Sequence, residues 1–275
     1  GAIEPALSHA ERQRAKAKRP ENLDAWDVYQ RGMSHLHRRT EVDLAEAAGL
    51  FDRAIEADPG LVSAYAAASE CCFFQIVGGY SEGSESQRQA GLALARKAVE
   101  LDRQDAGARC ALGRIYTVRR EHGLAIPELT RAIEFNPSYA RAHYALGFAY
   151  ATSGRPEDGI APIELAMRLS PHDPYLGQFM VHLGLAYLFM GQFERACEWA
   201  EHALGEPNIQ WSRYALLISA LGHLGRQDAA RRAISDLLEL RPEITVGAVG
   251  AWWPISDDRS RDCLLDGLRK AGLRE

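Results

Sequence analysis

QDAGARCALGRIYTVRREHGLAIPELTRAIEFNP, residues 104–137, decides the fold. Two helical runs flank the polar turn RREHG at 119–123, and Pro137 stands two residues past the second run, where it closes the unit. The stretch reads as helix, turn, helix, stop. Its landmarks recur: Gly113 returns as Gly147, Tyr116 as Tyr150, Ala132 as Ala166 and Pro137 as Pro171, each 34 residues later. A fixed period of about 20–50 residues is the mark of a repeat architecture. Small residues fall in pairs, Gly113 with Ala125, Gly147 with Gly159 and Gly184 with Ala196, where two antiparallel helices must approach closely. Tyr116, Tyr150 and Tyr187 fill the layer beside them.

Working outward, this succession of Leu-Gly, Tyr, Ala, Phe-like, Ala and Pro positions resembles the tetratricopeptide repeat over most of the chain. The resemblance implies an all-α fold, a right-handed superhelical α-solenoid of about six helix-turn-helix repeats with capping helices. The array is expected over 25–244, with repeats at 25–59, 62–103, 106–139, 140–173, 177–210 and 211–244. Each unit leaves an apolar face that only a neighbour or a cap can cover. Residues 1–24 are therefore expected to form a linker or capping helix, and 245–275 a C-terminal capping segment. Within that tail, Trp252-Trp253-Pro254 reads as capping core, with a built-in occupant of the groove or a dimer contact as the alternative.

The units depart from one another in informative ways. The first keeps Gly32, Phe51, Ala54 and Pro59 but has an insertion around RRTEVD, 38–43. The second carries GGYSEGSES, 78–86, as a glycine- and serine-rich loop. The sixth puts Ile218 where the small residue belongs, so its first helix should pack less closely. Pro156 suits a first helical position, followed by Glu157 and Asp158 at the positive end of the helix dipole. Pro127 sits near a first turn, whereas Pro162 lies deeper and predicts a kink.

Composition narrows the function. With 47% hydrophobic and 25% charged residues the chain has the balance of a soluble globular protein, and a net charge of −5 offers no general attraction to phosphate. No nucleic acid is expected to bind its body. ERQRAKAKR, 11–19, holds five basic side chains and reads as a solvated linker, with a membrane surface or nucleic acid as the alternative contact. Cys71, Cys72, Cys110, Cys197 and Cys263 lack paired metal-ligand spacing and read as reduced core residues of a cytosolic protein. No apolar run approaches the roughly 18–20 residues of a membrane span. The opening GAIEPALSHAERQRA lacks a cationic region followed by an apolar one. Neither secretion nor membrane insertion is expected, and the location is expected to be cytoplasmic.

No phosphate-binding loop, nucleophile elbow, HExxH helix or calcium loop occurs in the chain. His35 and His37 are two apart and face different ways on a helix; Glu198 and His202, four apart, form one of the pairs that helix surfaces produce by chance. No catalytic residue, metal or cofactor is expected. What remains is the concave surface. By resemblance, the second, fifth, ninth, twelfth and thirteenth residues of each unit face the groove. This selects Tyr29, Met33, Glu70, Phe73, Phe74, Arg114, Tyr144, Phe148, Gln178, Leu185, Phe189 and His223 as partner-binding candidates. Aromatic, Met and Arg side chains are what protein-binding surfaces favour. Members that clamp a terminal carboxylate use Asn, Lys and Arg at such positions. Here Glu70, Cys110, Tyr144 and Val181 stand there, so an apolar or helical ligand is expected instead.

The opening AIEPALSHAERQRA, the following RPENLDAWDVYQRG and the closing LLDGLRKAGLRE are similar to the C-terminal helical regions of bacterial regulators. In those proteins a nucleotide cyclase domain or a winged-helix DNA-binding domain precedes the repeats. The resemblance implies a non-catalytic regulatory or sensor part of a signalling or transcription protein, with a protein or peptide as partner. A constitutive assembly adaptor, or the regulatory fragment of a cyclase, is the alternative, and a homodimer could form through an uncovered end.

Overall fold

The computed structural model describes residues 23–79, 85–206 and 211–275. Among them run fourteen helices and no strand. They begin as six antiparallel pairs: α1 (Leu23–Leu36) with α2 (Glu41–Ala57), α3 (Val62–Gly78) with α4 (Glu85–Leu101), α5 (Ala106–Val118) with α6 (His122–Phe135), α7 (Ala140–Thr152) with α8 (Pro156–Leu169), α9 (Leu176–Phe189) with α10 (Phe193–Leu204), and α11 (Trp211–His223) with α12 (Gln227–Leu240). Two more helices follow, α13 (Val246–Trp252) and α14 (Asp258–Ala271). The expected helix over the first residues and most of the 78–86 loop lie outside the described residues.

Local chemistry sets the helix ends. Asp105 accepts from the Ala108 N–H at 2.7 Å to start α5, and Asp257 accepts from the Ser260 N–H at 2.8 Å to start α14. Pro156 opens α8 with Glu157 and Asp158 in its first turn. α6 and α8 both run on through their internal prolines, Pro127 and Pro162.

The paired small residues make the close approaches their spacing suggests. A Cβ on Gly147 would stand 2.7 Å from the Gly159 carbonyl oxygen and 2.4 Å from Ile163 Cγ1; one on Gly113 would stand 2.5 Å from Leu129 Cγ. In the sixth pair, where Ile218 replaces the small residue, α11 packs less extensively on α12. Its close approach is made elsewhere. A Cβ on Gly222 would lie 1.9 Å from the Gly267 carbonyl oxygen, so α14 rests backbone to backbone on α11.

That contact places the C-terminal segment. It does not extend the stack beyond α12, whose outer side carries the exposed Asp228, Arg231, Arg232, Asp236 and Glu239 and needs no apolar cover. Instead it turns back along the inner face formed by the first helices of the pairs. Ser219 Oγ donates to the Leu264 carbonyl at 2.9 Å, and the Ser256 N–H donates to the Thr152 carbonyl at 3.0 Å. Arg120 Nη2 donates to the carbonyls of Ala251 and Trp253 at 3.3 and 3.2 Å. Trp253 lies in the core with no exposed surface, and it packs on rings of the first helices of the fourth and fifth pairs.

Candidate functional site

The row of groove candidates divides into three parts. At the N-terminal end, the half-buried Tyr29 and Met33 of α1 line an open cleft of about 380 Å³ together with Ser63, Glu70, Asp105, Tyr139 and Arg141. Glu70 is its charged floor. It accepts from Arg114 Nη1 at 2.6 Å and from Arg141 Nη1 at 2.7 Å, and Arg114 lies over the Phe73 ring at 3.8 Å. Burial opposes ionisation of Glu70, but the guanidiniums of Arg141 and Arg114 outweigh it, and the carboxyl pKa falls below its ordinary value. Burial pushes the Tyr29 phenol up to about 12, so it remains a neutral hydrogen-bonding group at the rim.

The middle part is an aromatic stack already filled. Phe148 stacks on His182 at 3.8 Å between ring centres, Tyr144 on Phe179 at 4.3 Å, and Phe74 on Tyr175 at 5.2 Å. Trp253 meets Phe148 and His182 edge-on at 6.2 and 6.0 Å, and Trp252 meets Trp211 at 4.4 Å. Trp253 is the largest side chain with no exposed surface among the described residues. The space left among Phe73, Phe74, Tyr144, Phe148, Gln178 and the two tryptophans is about 20 Å³, room for one water but not for a partner's side chain. Burial holds the His182 pKa well below the usual imidazole range.

The third part lies toward the C-terminal end. Leu185 has no exposed surface and belongs to the core. Phe189 is buried, and His223 stacks on Phe193 at 4.2 Å while its Nε2 donates to the Cys263 carbonyl of α14 at 2.8 Å. The C-terminal helix covers this end, so these three side chains are withheld from any partner in this arrangement. Among the described residues, Tyr29, Met33 and the rim of Glu70 border an uncovered cleft, whereas Phe148 and His223 lie against the C-terminal segment and Leu185 and Arg114 are buried in the body of the array.

Residues outside the candidate row complete the site. Arg39 lies over the rings of Tyr175 and Phe74. Its backbone is left-handed, φ 55°, as is that of Arg120, φ 62°. Both stand two residues before the second helix of their pair, where the fourth, fifth and sixth pairs have Gly154, Gly191 and Gly225. Aligning the turns on those glycines is the signal that would have singled out both arginines. Among the described residues no three His, Cys, Asp or Glu side chains are placed to hold a metal ion, and no helix is long and apolar enough to cross a membrane.

Comparisons with known proteins agree with this architecture. Residues 121–154 match a model described as TPR repeat, and 177–206 match one described as tetratricopeptide repeat. A stretch of 59 residues is 34% identical to cell division cycle protein 27 homolog B of Arabidopsis thaliana, covering 22% of this chain and 8% of that protein. Among solved structures, a thermophilic TPR protein of Thermus thermophilus superposes with a TM-score of 0.57 at 20% identity, over 72% of this chain and 98% of that one. The pilF protein of Pseudomonas aeruginosa gives 0.55 at 18% identity, over 80% and 94%. A chain of the APC/C hetero-tetramer Cut9-Hcn1 gives 0.62 at 14% identity, over 89% and 46%. The chain is an α-solenoid of the tetratricopeptide-repeat kind, two of whose segments carry the repeat's own sequence pattern.

Proposed function

We propose that this chain is a non-catalytic protein-binding module that receives a segment of a partner in the cleft between α1, α3 and α5. The observation that carries the reading is the contrast along one inner face: its aromatic middle is filled by Trp252 and Trp253, whereas none of the described residues covers the cleft at Tyr29, Met33 and Glu70. Tyr29 and Met33 supply apolar contact, and Asp105 and Arg141 supply polar groups of both signs at the rim. A partner helix or extended segment with an apolar side and mixed charge fits such a surface. The module serves as the regulatory part of a bacterial signalling or transcription protein. The likeness of its two ends to the helical regions that follow cyclase or winged-helix domains supports this role.

Capture from native lysate tests the binding surface. Met33→Glu and Ser63→Arg place charge and bulk in the cleft, and Leu124→Glu alters a site on the second helix of the third pair that is 52% exposed. A protein retained by the parent chain and the Leu124 variant but lost with both cleft variants supports the reading. Equal retention by all four sinks it. The regulatory role is tested separately, by whether the coding sequence upstream of residue 1 encodes a cyclase or winged-helix segment.

A further inference from the structure

The small cavity beneath Trp252 and Trp253 has an unusual wall. Seven buried polar atoms without a hydrogen-bond partner belong to residues that line it: Nε and Nη2 of Arg39, the Tyr175 hydroxyl, Gln178 Oε1, His182 Nδ1, and Nε1 of Trp252 and of Trp253. Folded proteins rarely leave such atoms unpaired, and a gathering of them around one space marks a place that an absent group completes. Most of them are donors. Nε and Nη2 form the side-on edge of the guanidinium, two parallel N–H vectors at the spacing of a carboxylate's two oxygens.

Two further observations point the same way. Burial lowers the Arg39 pKa; Tyr144 and Asp173 offset part of that effect and the charges of Arg114 and Arg141 add to it, so the net shift is downward. Among the described residues no acidic side chain is ion-paired with it. Arg39 also occupies a left-handed turn position that glycine fills in later units.

We propose that this cavity is a binding site for a small aromatic monocarboxylate, its carboxylate received side-on by Arg39 and its ring held among Phe74, Tyr144, Phe148 and the tryptophans. A single negative charge fits because one guanidinium edge is free; Arg114 is already paired with Glu70. Apolar walls disfavour a phosphate, which would lose its hydration against them. As it stands the cavity holds about 20 Å³, so the ligand enters when the Trp252-Trp253-Pro254 stretch lifts and is enclosed when it returns. This site is separate from the cleft at Tyr29 and Met33 and does not depend on a protein partner.

Calorimetric titration of the full chain with sodium benzoate and sodium phenylacetate, beside benzamide and sodium acetate at constant ionic strength, tests it. The aromatic acids are expected to bind saturably. Benzamide, which lacks the charge, and acetate, which lacks the ring, are expected to bind at least about tenfold more weakly. Arg39→Gly restores the residue that suits the turn, so it is expected to fold and to weaken benzoate at least about tenfold. The proposal is overturned if benzamide matches benzoate, if Arg39→Gly binds benzoate as tightly as the parent, or if neither aromatic acid gives saturable heat up to about 10 mM. Should the variant not fold, the benzoate and benzamide comparison on the parent chain decides alone.

Discussion

Glu70 shows how much one side chain holds together. It sits on α3, takes Arg114 from α5 and Arg141 from α7, and so ties the first helices of three successive pairs. Removing one partner of a buried ion pair leaves the other uncompensated, at about 3–5 kcal/mol. Glu70→Gln is accordingly expected to lower stability by about 3 kcal/mol in urea unfolding, and a loss within about 0.5 kcal/mol would show that the arginines find other partners. His182 gives a pH dependence. Its folded pKa lies well below the unfolded value of about 6.5, so the native state binds fewer protons than the unfolded chain between the two. Its contribution is complete above about pH 6.5 and is lost as pH falls below that. His122 and His37 shift in the same direction, also through burial. Melting temperatures measured from pH 7.5 down to 5 are expected to fall, and less steeply for His182→Phe, which keeps the stack without the titration.

At the scale of the helix, glycine spacing decides which elements touch. The pairs of Gly113 with Ala125 and Gly147 with Gly159 were legible because they recur at a fixed interval, and each contact lies within one helical hairpin. Gly222 and Gly267 were not, because they belong to different kinds of element and no period relates them. Gly222→Val is expected to force α14 from α11, since even a Cβ would lie 1.9 Å from the Gly267 carbonyl oxygen and 2.9 Å from the Ala271 nitrogen. Dye binding to exposed apolar surface and the near-ultraviolet signal of the tryptophans would report the release. Gly49→Ala is the control: nothing lies within 4 Å of the added Cβ, and a helical Gly-to-Ala change is worth about 0.5–1 kcal/mol in the stabilising direction. Both variants behaving alike would mean that α14 is not held by this approach.

Across the whole molecule, the C-terminal segment changes what kind of solenoid this is. A simple repeat array is held by nearest-neighbour contacts and can open from either end. Here Ser256 bonds the fourth pair, Arg120 ties the third pair to Ala251 and Trp253, and Arg241 Nη2 donates to the Gly78 carbonyl of the second pair at 2.8 Å. Trp253, at the centre, touches rings from α7 and α9. Trp253→Ala is expected to cost about 3–5 kcal/mol and to separate the unfolding of the N- and C-terminal pairs. Hydrogen exchange resolved by helix would show faster opening in α7 and α9. Uniform slow exchange with a single sharp transition would mean that nearest-neighbour packing suffices without the tail.

What the amino-acid sequence determined by itself is the local order: helix, turn, helix, the 34-residue return, and the close approach within the hairpins that carry paired small residues. These are contacts between residues near one another in the chain, and a period records them. The tertiary structure alone decided which parts of the inner face are open. Leu185, Phe189 and His223 occupy groove positions in the repeat register, yet they are lost to the core or to α14. Arg39 stands at the turn position that glycine fills in later pairs, which is not a groove position, and yet it lines the aromatic cavity. The reason is one of range: whether Trp253 meets Phe148 and His182 depends on how the chain turns back after the last repeat, and nothing periodic encodes that return.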